Sequence, residues 1–164
     1  MIKHYIFVDT SAWFSLFDKR DASHKQANEF YETNNIPLIT SNFILAETLT
    51  LVRSRLGNPS SINTGNKFFH EDIATIIEID PIAFKDAWRI FQRYDDKGFS
   101  FTDCTTFAVM ERLKIPAVFT FDEISNNTAN SNASPEISKL ELDFLISLLL
   151  SFHQARRDII CQKL

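Results

Sequence analysis

Short apolar runs alternate with longer segments of helical period along the first 121 residues. "YIFV" at 5–8 is aromatic and β-branched, which fits a short buried strand, and a helix is expected to start near Thr10. A second helix is predicted over "HKQANEFYETN", capped by Asp21 or Ser23. "IPLIT" reads as a brief strand. Ser41 then caps a long helix, "NFILAETLTLVRSRL", that stops before Gly57 and Pro59. Residues 60–71 read as helix and "ATIIEI" as strand. Pro81 occupies a favoured first-turn position ahead of "IAFKDAWRIFQRY". After the turn "DDKG" the spacing predicts a helix from Thr102 to Lys114, and "AVFTF" is a further strand. Strands separated by helices predict an α/β fold with a mostly parallel sheet covered on both faces.

The pattern changes after residue 124. "SNNTANSNASP" at 125–135 is polar and rich in Asn and Ser, which reads as a loop. Residues 136–160 read as one helix, apolar around Leu140, Phe144, Leu148 and Phe152. The expected organisation is a domain over 1–124, the loop, and a helical tail over 136–164. Left in water, the tail's apolar face would be an aggregation liability. It is therefore expected to pack on its own domain, with homodimerisation through the same face as the alternative.

Composition narrows the class. A chain of 164 residues fits one domain, and 45% hydrophobic residues with 16 Phe supply a core. Cys104 and Cys161 form no CxxC pair, which suits a reducing compartment without a disulfide framework. No secretory signal is visible, and "FLISLLLSF" at 144–152 is about half the roughly 20 residues needed to span a bilayer. A soluble, cytoplasmic protein without membrane contact is expected. The net charge of −4 argues against a nucleic-acid partner only weakly, because cations bound to a cluster of acids reverse the local sign.

Four acids stand where apolar residues would be expected. Asp9 ends "YIFV" and Asp122 ends "AVFTF", and each either caps a turn or projects from the carboxyl edge of the sheet. Glu47 has Ile44 and Leu51 on its helical face, so it lies on an apolar stripe or at its solvent edge. Asp103 completes a capping-box pattern with Ser100, yet shares a face with Phe107 and Met110. Parallel sheets bind ligands at their carboxyl edge. Carboxylates converging there would repel by roughly 1–4 kcal/mol per close pair, a repulsion that hard divalent cations relieve. Together the four point to a site for Mg²⁺ or Mn²⁺.

"FVDTSAW", "ILAETLTL", "FSFTDCTTFAVMERL" and "AVFTFDE" occur in this order within residues 4–123. They resemble the acidic motifs of PIN-domain ribonucleases, especially the VapC toxins of bacterial toxin–antitoxin pairs. The resemblance implies a three-layer α/β fold with a short sheet of four or five strands. It implies Asp9, Glu47, Asp103 and Asp122 as catalytic and metal-site residues, with Thr10 and Thr102 as hydroxyl neighbours. It also implies Mg²⁺- or Mn²⁺-dependent RNA cleavage by a metal-activated water, and a cognate antitoxin. After Asp122 the chain departs from the family pattern, so the last helix is atypical.

Other readings fit less well. A haloacid-dehalogenase-type phosphatase needs a second aspartate where Ser11 stands. Gly57, Gly65 and Gly98 form no phosphate-cradling loop, and the sequence has no GxSxG elbow. Asp95 and Asp96, beside Lys97 and Gly98, look like a solvated turn. The alternative of another class is a PIN-like module that binds RNA or an antitoxin without cutting. Divalent-dependent hydrolysis separates the two.

Overall fold

Ile6, Phe7 and Val8 are all buried, as a strand covered on both faces requires. They form β1 (Ile6–Val8) in a computed structural model that describes residues 5–70 and 73–121. The chain continues through α1 (Thr10–Phe17), α2 (His24–Thr33), β2 (Leu38–Ser41), α3 (Asn42–Leu56) and α4 (Asn58–His70). It then passes through β3 (Thr75–Ile77), α5 (Pro81–Arg93), α6 (Phe101–Leu113) and β4 (Ala117–Phe119). The strands form one sheet in the order β3-β2-β1-β4, with every pairing parallel. This matches the expected PIN-like architecture with four strands among the described residues. Asp122, the 125–135 loop and the 136–164 tail lie outside them.

Topology assigns the helices to layers. The steps from β1 to β2 and from β2 to β3 run the same way along the sheet, whereas the step from β3 to β4 runs back past β1. With right-handed crossovers, α1 to α4 cover one face and α5 and α6 the other. The packing agrees: α1 meets α2 and α3, α3 meets α4, and α5 lies against α6.

Local chemistry sets the element ends. The Ser41 hydroxyl accepts from the Ile44 N–H and starts α3. Gly57, at φ +87°, ends that helix in a conformation that disfavours side chains. The next helix begins at once, at Asn58, two residues ahead of the expected start, because Pro59 tolerates a first turn that has no N–H partner. Asp80 caps α5 through the N–H groups of Ile82 and Ala83, with Pro81 in the first turn. Ser23 occupies the cap position of α2 but makes no side-chain cap bond; instead Asp21 accepts from the Ser23 N–H and the Ser15 hydroxyl.

The core gathers around Trp13, which is 1% exposed and packs edge-on to Phe68 at 4.9 Å. Its indole N–H donates to the Thr40 hydroxyl, which donates to the Val8 carbonyl, so a buried polar chain ties α1 to β2 and β1. Cys104 is fully buried, and burial pushes its thiol up to about 12, with Asp103 adding to the shift. On the other side of the sheet Arg112 grips both oxygens of Asp80, at 2.8 and 2.7 Å, linking the end of α6 to the start of α5. Hydrogen bonds and charge from Arg112 hold the Asp80 carboxyl well below the usual range.

Two outcomes follow. Trp13→Ala, which opens a large cavity and removes the N–H donor to the Thr40 hydroxyl, lowers unfolding free energy by about 3–5 kcal/mol in chemical denaturation. Arg112→Ala lowers the melting temperature modestly at neutral pH. Because the folded-state pKa of Asp80 is depressed, its contribution is present above the ordinary value of 3.8 and is lost as pH falls below it. The gap between wild type and Arg112→Ala therefore closes in acid; a constant gap across the titration contradicts this assignment.

Candidate active site

β1 is where the winding of the sheet reverses, with β2 on one side and β4 on the other. Clefts at such a switch point open at the carboxyl ends of the strands. Asp9 follows β1 there. It occupies the cap position of α1 but makes no side-chain cap bond, so capping does not explain it. Its Oδ2 lies 3.2 Å from the Ser11 hydroxyl and 3.1 Å from that of Thr120, and these hydroxyls are 3.0 Å apart. Two hydroxyl protons thus serve three edges of a triangle. Ser11 Oγ also accepts the Phe121 N–H at 2.9 Å, and the Asp9 N–H donates to the Phe119 carbonyl at 3.0 Å. The chain leaving β4 is pinned to the chain leaving β1 immediately before Asp122.

Glu47 reaches the same edge from α3. The buried face of that helix is Ile44, Leu45, Thr48 and Val52, so Glu47 sits at the solvent side of the apolar stripe. Glu47 is exposed as a residue, yet its carboxylate accepts from the Thr10 hydroxyl at 3.1 Å in a partly buried contact. Burial of this end raises its pKa above the ordinary value of 4.5, and the charges of Asp9 and Asp103 push the same way. Hydrogen bonds from Thr10 and Thr102 oppose the rise. Glu47 therefore senses both other described acids, and both expected hydroxyl neighbours touch it.

Asp103 opens α6. Ser100 and Asp103 form the capping box expected of them, with the Ser100 N–H donating to Asp103 Oδ2 at 2.7 Å and the Asp103 N–H donating to Ser100 Oγ at 3.1 Å. The helix N-terminus favours its negative charge. Capping and a place at the site are compatible here, because the first turn of α6 faces Glu47 through Thr102. An open groove of about 750 Å³ leads away from this point, lined by Glu47 and Thr102 and then by Phe43, Ala46, Thr50 and Ser54 of α3.

The donor set suits a hard divalent cation: all are carboxylate or hydroxyl oxygens, and the Glu47 carboxyl is raised by burial and, after it, by the charges of Asp9 and Asp103. Among the described residues, however, no three His, Cys, Asp or Glu groups are gathered closely enough to hold a metal ion by themselves. Asp122 lies outside those residues. Ser11 and Thr120 escaped the sequence reading. Their signal is faint: Ser11 is the second residue after the strand-end Asp9, and Thr120 precedes Asp122 by two.

A PIN-domain family model matches residues 6–130. The 23S rRNA-specific endonuclease VapC20 of Mycobacterium tuberculosis is 32% identical over 120 residues, covering 71% of this chain and 88% of that protein. A VapC ribonuclease of Archaeoglobus fulgidus is 28% identical over 116 residues, covering 68% of this chain and 73% of its own. The crystal structure of the mycobacterial VapC20, described as a toxin that cleaves the sarcin–ricin loop, superposes with a TM-score of 0.68 at 31% identity, over 71% of this chain and 89% of that one. With the strand order and the acidic edge already in place, the chain belongs to the PIN-domain family, and within it to the VapC type.

Proposed function

We propose that this chain is the toxin of a toxin–antitoxin pair, an endoribonuclease that hydrolyses RNA phosphodiester bonds with Mg²⁺ or Mn²⁺. The observation that carries the reading is Glu47, whose carboxyl meets Thr10 and is raised first by burial and then by the charges of Asp9 and Asp103, across three separate elements. A shared local charge of this kind is costly unless a ligand uses it. Likeness to the mycobacterial endonuclease makes large-subunit ribosomal RNA the first substrate to test. A small antitoxin protein is the expected partner. Among the described residues no helix is long and apolar enough to cross a membrane, which fits action in the cytoplasm.

Asp9 and Asp103 would be the principal ligands, with Glu47 and Asp122 completing the acidic set. When bound, the ion supplies Lewis acidity, lowering the pKa of water and offsetting charge on the phosphate oxygens. The chain's own contribution is placement. Ser11 and Thr120 hold one oxygen of Asp9, Thr10 and Thr102 hold Glu47, and the capping box holds Asp103. Glu47, at the mouth of the groove, would orient the attacking water.

Asp9→Asn and Asp103→Asn keep side-chain shape and remove charge. Each lowers cleavage of a ribosomal RNA substrate by ~100-fold or more while the folded spectrum persists, as loss of charge stabilisation implies. Excess EDTA abolishes cleavage, and added Mn²⁺ restores it. Robust cleavage by either variant, or in EDTA, rejects the reading in favour of a module that binds without cutting. Ser11→Ala acts one step further out: it raises the Mn²⁺ concentration for half-maximal activity by roughly 10-fold, as removal of a group that orients a ligand does. An unchanged metal requirement removes Ser11 from the positioning set.

A further inference from the structure

The sheet comes apart on one side of Asp9. β1 stays in register with β4 through Val8 and Phe119, and β2 with β3 through Ser41 and Ile77. Between β1 and β2 the pairing runs from Ile6 and Leu38 to Phe7 and Ile39 and stops, two residues short of Asp9. A side chain spans the break. The Thr40 hydroxyl lies 3.0 Å from the Val8 carbonyl oxygen and 3.3 Å from the Trp13 indole nitrogen. An indole N–H only donates, so the hydroxyl accepts from Trp13 and its one proton is committed to Val8. All three residues are buried, and water does not compete for either bond.

The Val8 carbonyl and the Asp9 N–H are two ends of one planar peptide unit. Its N–H donates to the Phe119 carbonyl of β4 at 3.0 Å, and its carbonyl takes the Thr40 hydroxyl of β2. Held from both sides of the switch point, the unit cannot swing about the chain. Its plane sets the direction in which the Asp9 side chain leaves the strand. Ser11 and Thr120 act further out, on the carboxylate itself. They can hold it only where the backbone has already put it.

We propose that Thr40 is a positioning residue of the acidic site: its hydroxyl, committed to Val8 by the Trp13 indole, aims Asp9. The inference rests on the metal-dependent reading of the site, since aim matters where a carboxylate must meet a cation at a fixed distance. Thr40 is fully buried and meets neither RNA nor cation, so its effect passes through the Val8–Asp9 peptide. A hydroxyl that only stabilised the fold would change stability and leave Asp9 as it was. The two roles are therefore separable.

Two measurements on the full chain separate them: Mn²⁺ binding followed by electron paramagnetic resonance without RNA, and exchange of the Asp9 amide followed by NMR without metal. Thr40→Val keeps the side-chain shape and Thr40→Ala does not, but both remove the hydroxyl. Each is expected to weaken Mn²⁺ binding by roughly 10-fold, as loss of a group behind a ligand does, and to speed Asp9 exchange. Thr40→Ser, which keeps the hydroxyl, stays close to wild type in both. Val52→Ala, which opens the buried face of α3 away from these bonds, lowers stability with neither change. Asp9 exchange no faster in Thr40→Val and Thr40→Ala than in Val52→Ala overturns the proposal. So does a Thr40→Ser chain as impaired as Thr40→Val, or undiminished Mn²⁺ binding by both hydroxyl-free variants. A wild type that binds no Mn²⁺ rejects the metal-dependent function instead, and Thr40 then stands or falls on Asp9 exchange.

Discussion

Keeping a charged carboxyl partly buried at the carboxyl end of the sheet is the constraint around which the rest is arranged: Glu47 is raised first by burial and then by the charges of Asp9 and Asp103. The protein meets this constraint by giving each acid its own donors. Asp9 has two hydroxyls, Glu47 has the hydroxyls of Thr10 and Thr102, and Asp103 has the Ser100 N–H and a helix N-terminus. The Glu47 carboxyl stays raised despite its donors, because burial and, behind it, the charges of Asp9 and Asp103 disfavour its ionised form.

Holding those donors still requires a rigid frame, and the sheet supplies it in an economical way. Its strands are only three or four residues long, so little of the frame comes from ladder hydrogen bonds. Rigidity comes from what crosses between layers. The Trp13–Thr40–Val8 chain fixes α1 over β1 and β2, and the Arg112–Asp80 fork closes α5 onto α6. Ser11 joins the two strand ends on either side of the cleft. The Trp13–Thr40–Val8 link lies within the core, where loss of one partner leaves another short of a hydrogen bond. The Ser11 link is partly buried, whereas the Arg112–Asp80 fork is exposed and water can replace either partner.

The site and an aromatic cluster share structure. Phe101, Thr102 and Asp103 are consecutive in the first turn of α6; the first packs against Phe84 and Phe91 of α5, the second lines the groove, and the third belongs to the acidic edge. Phe43 and Glu47 stand in the same relation on α3, one turn apart. Packing among these helices therefore bears on the same helical turns that carry the acids.

Much of this was legible in the residues because it is local. Ser41 and Ser100 bond to N–H groups three positions away, so their caps show in sequence, as does the alternation of strands with helices. The strand-end placement of Asp9 was visible too, but whether it capped α1 was not, since both uses put an acid at one position. Tertiary structure decided what depends on distant partners. Thr10 and Glu47 are 37 residues apart and Ser11 and Thr120 are 109 apart, and no periodicity encodes a contact between two helices or two strand ends. The exposed side of Glu47 and the exposed rings of Phe84, Trp88 and Phe91 had the same cause. An apolar stripe in sequence says that something covers it, and only the packing of the layers says which residues the fold covers and which it leaves in water.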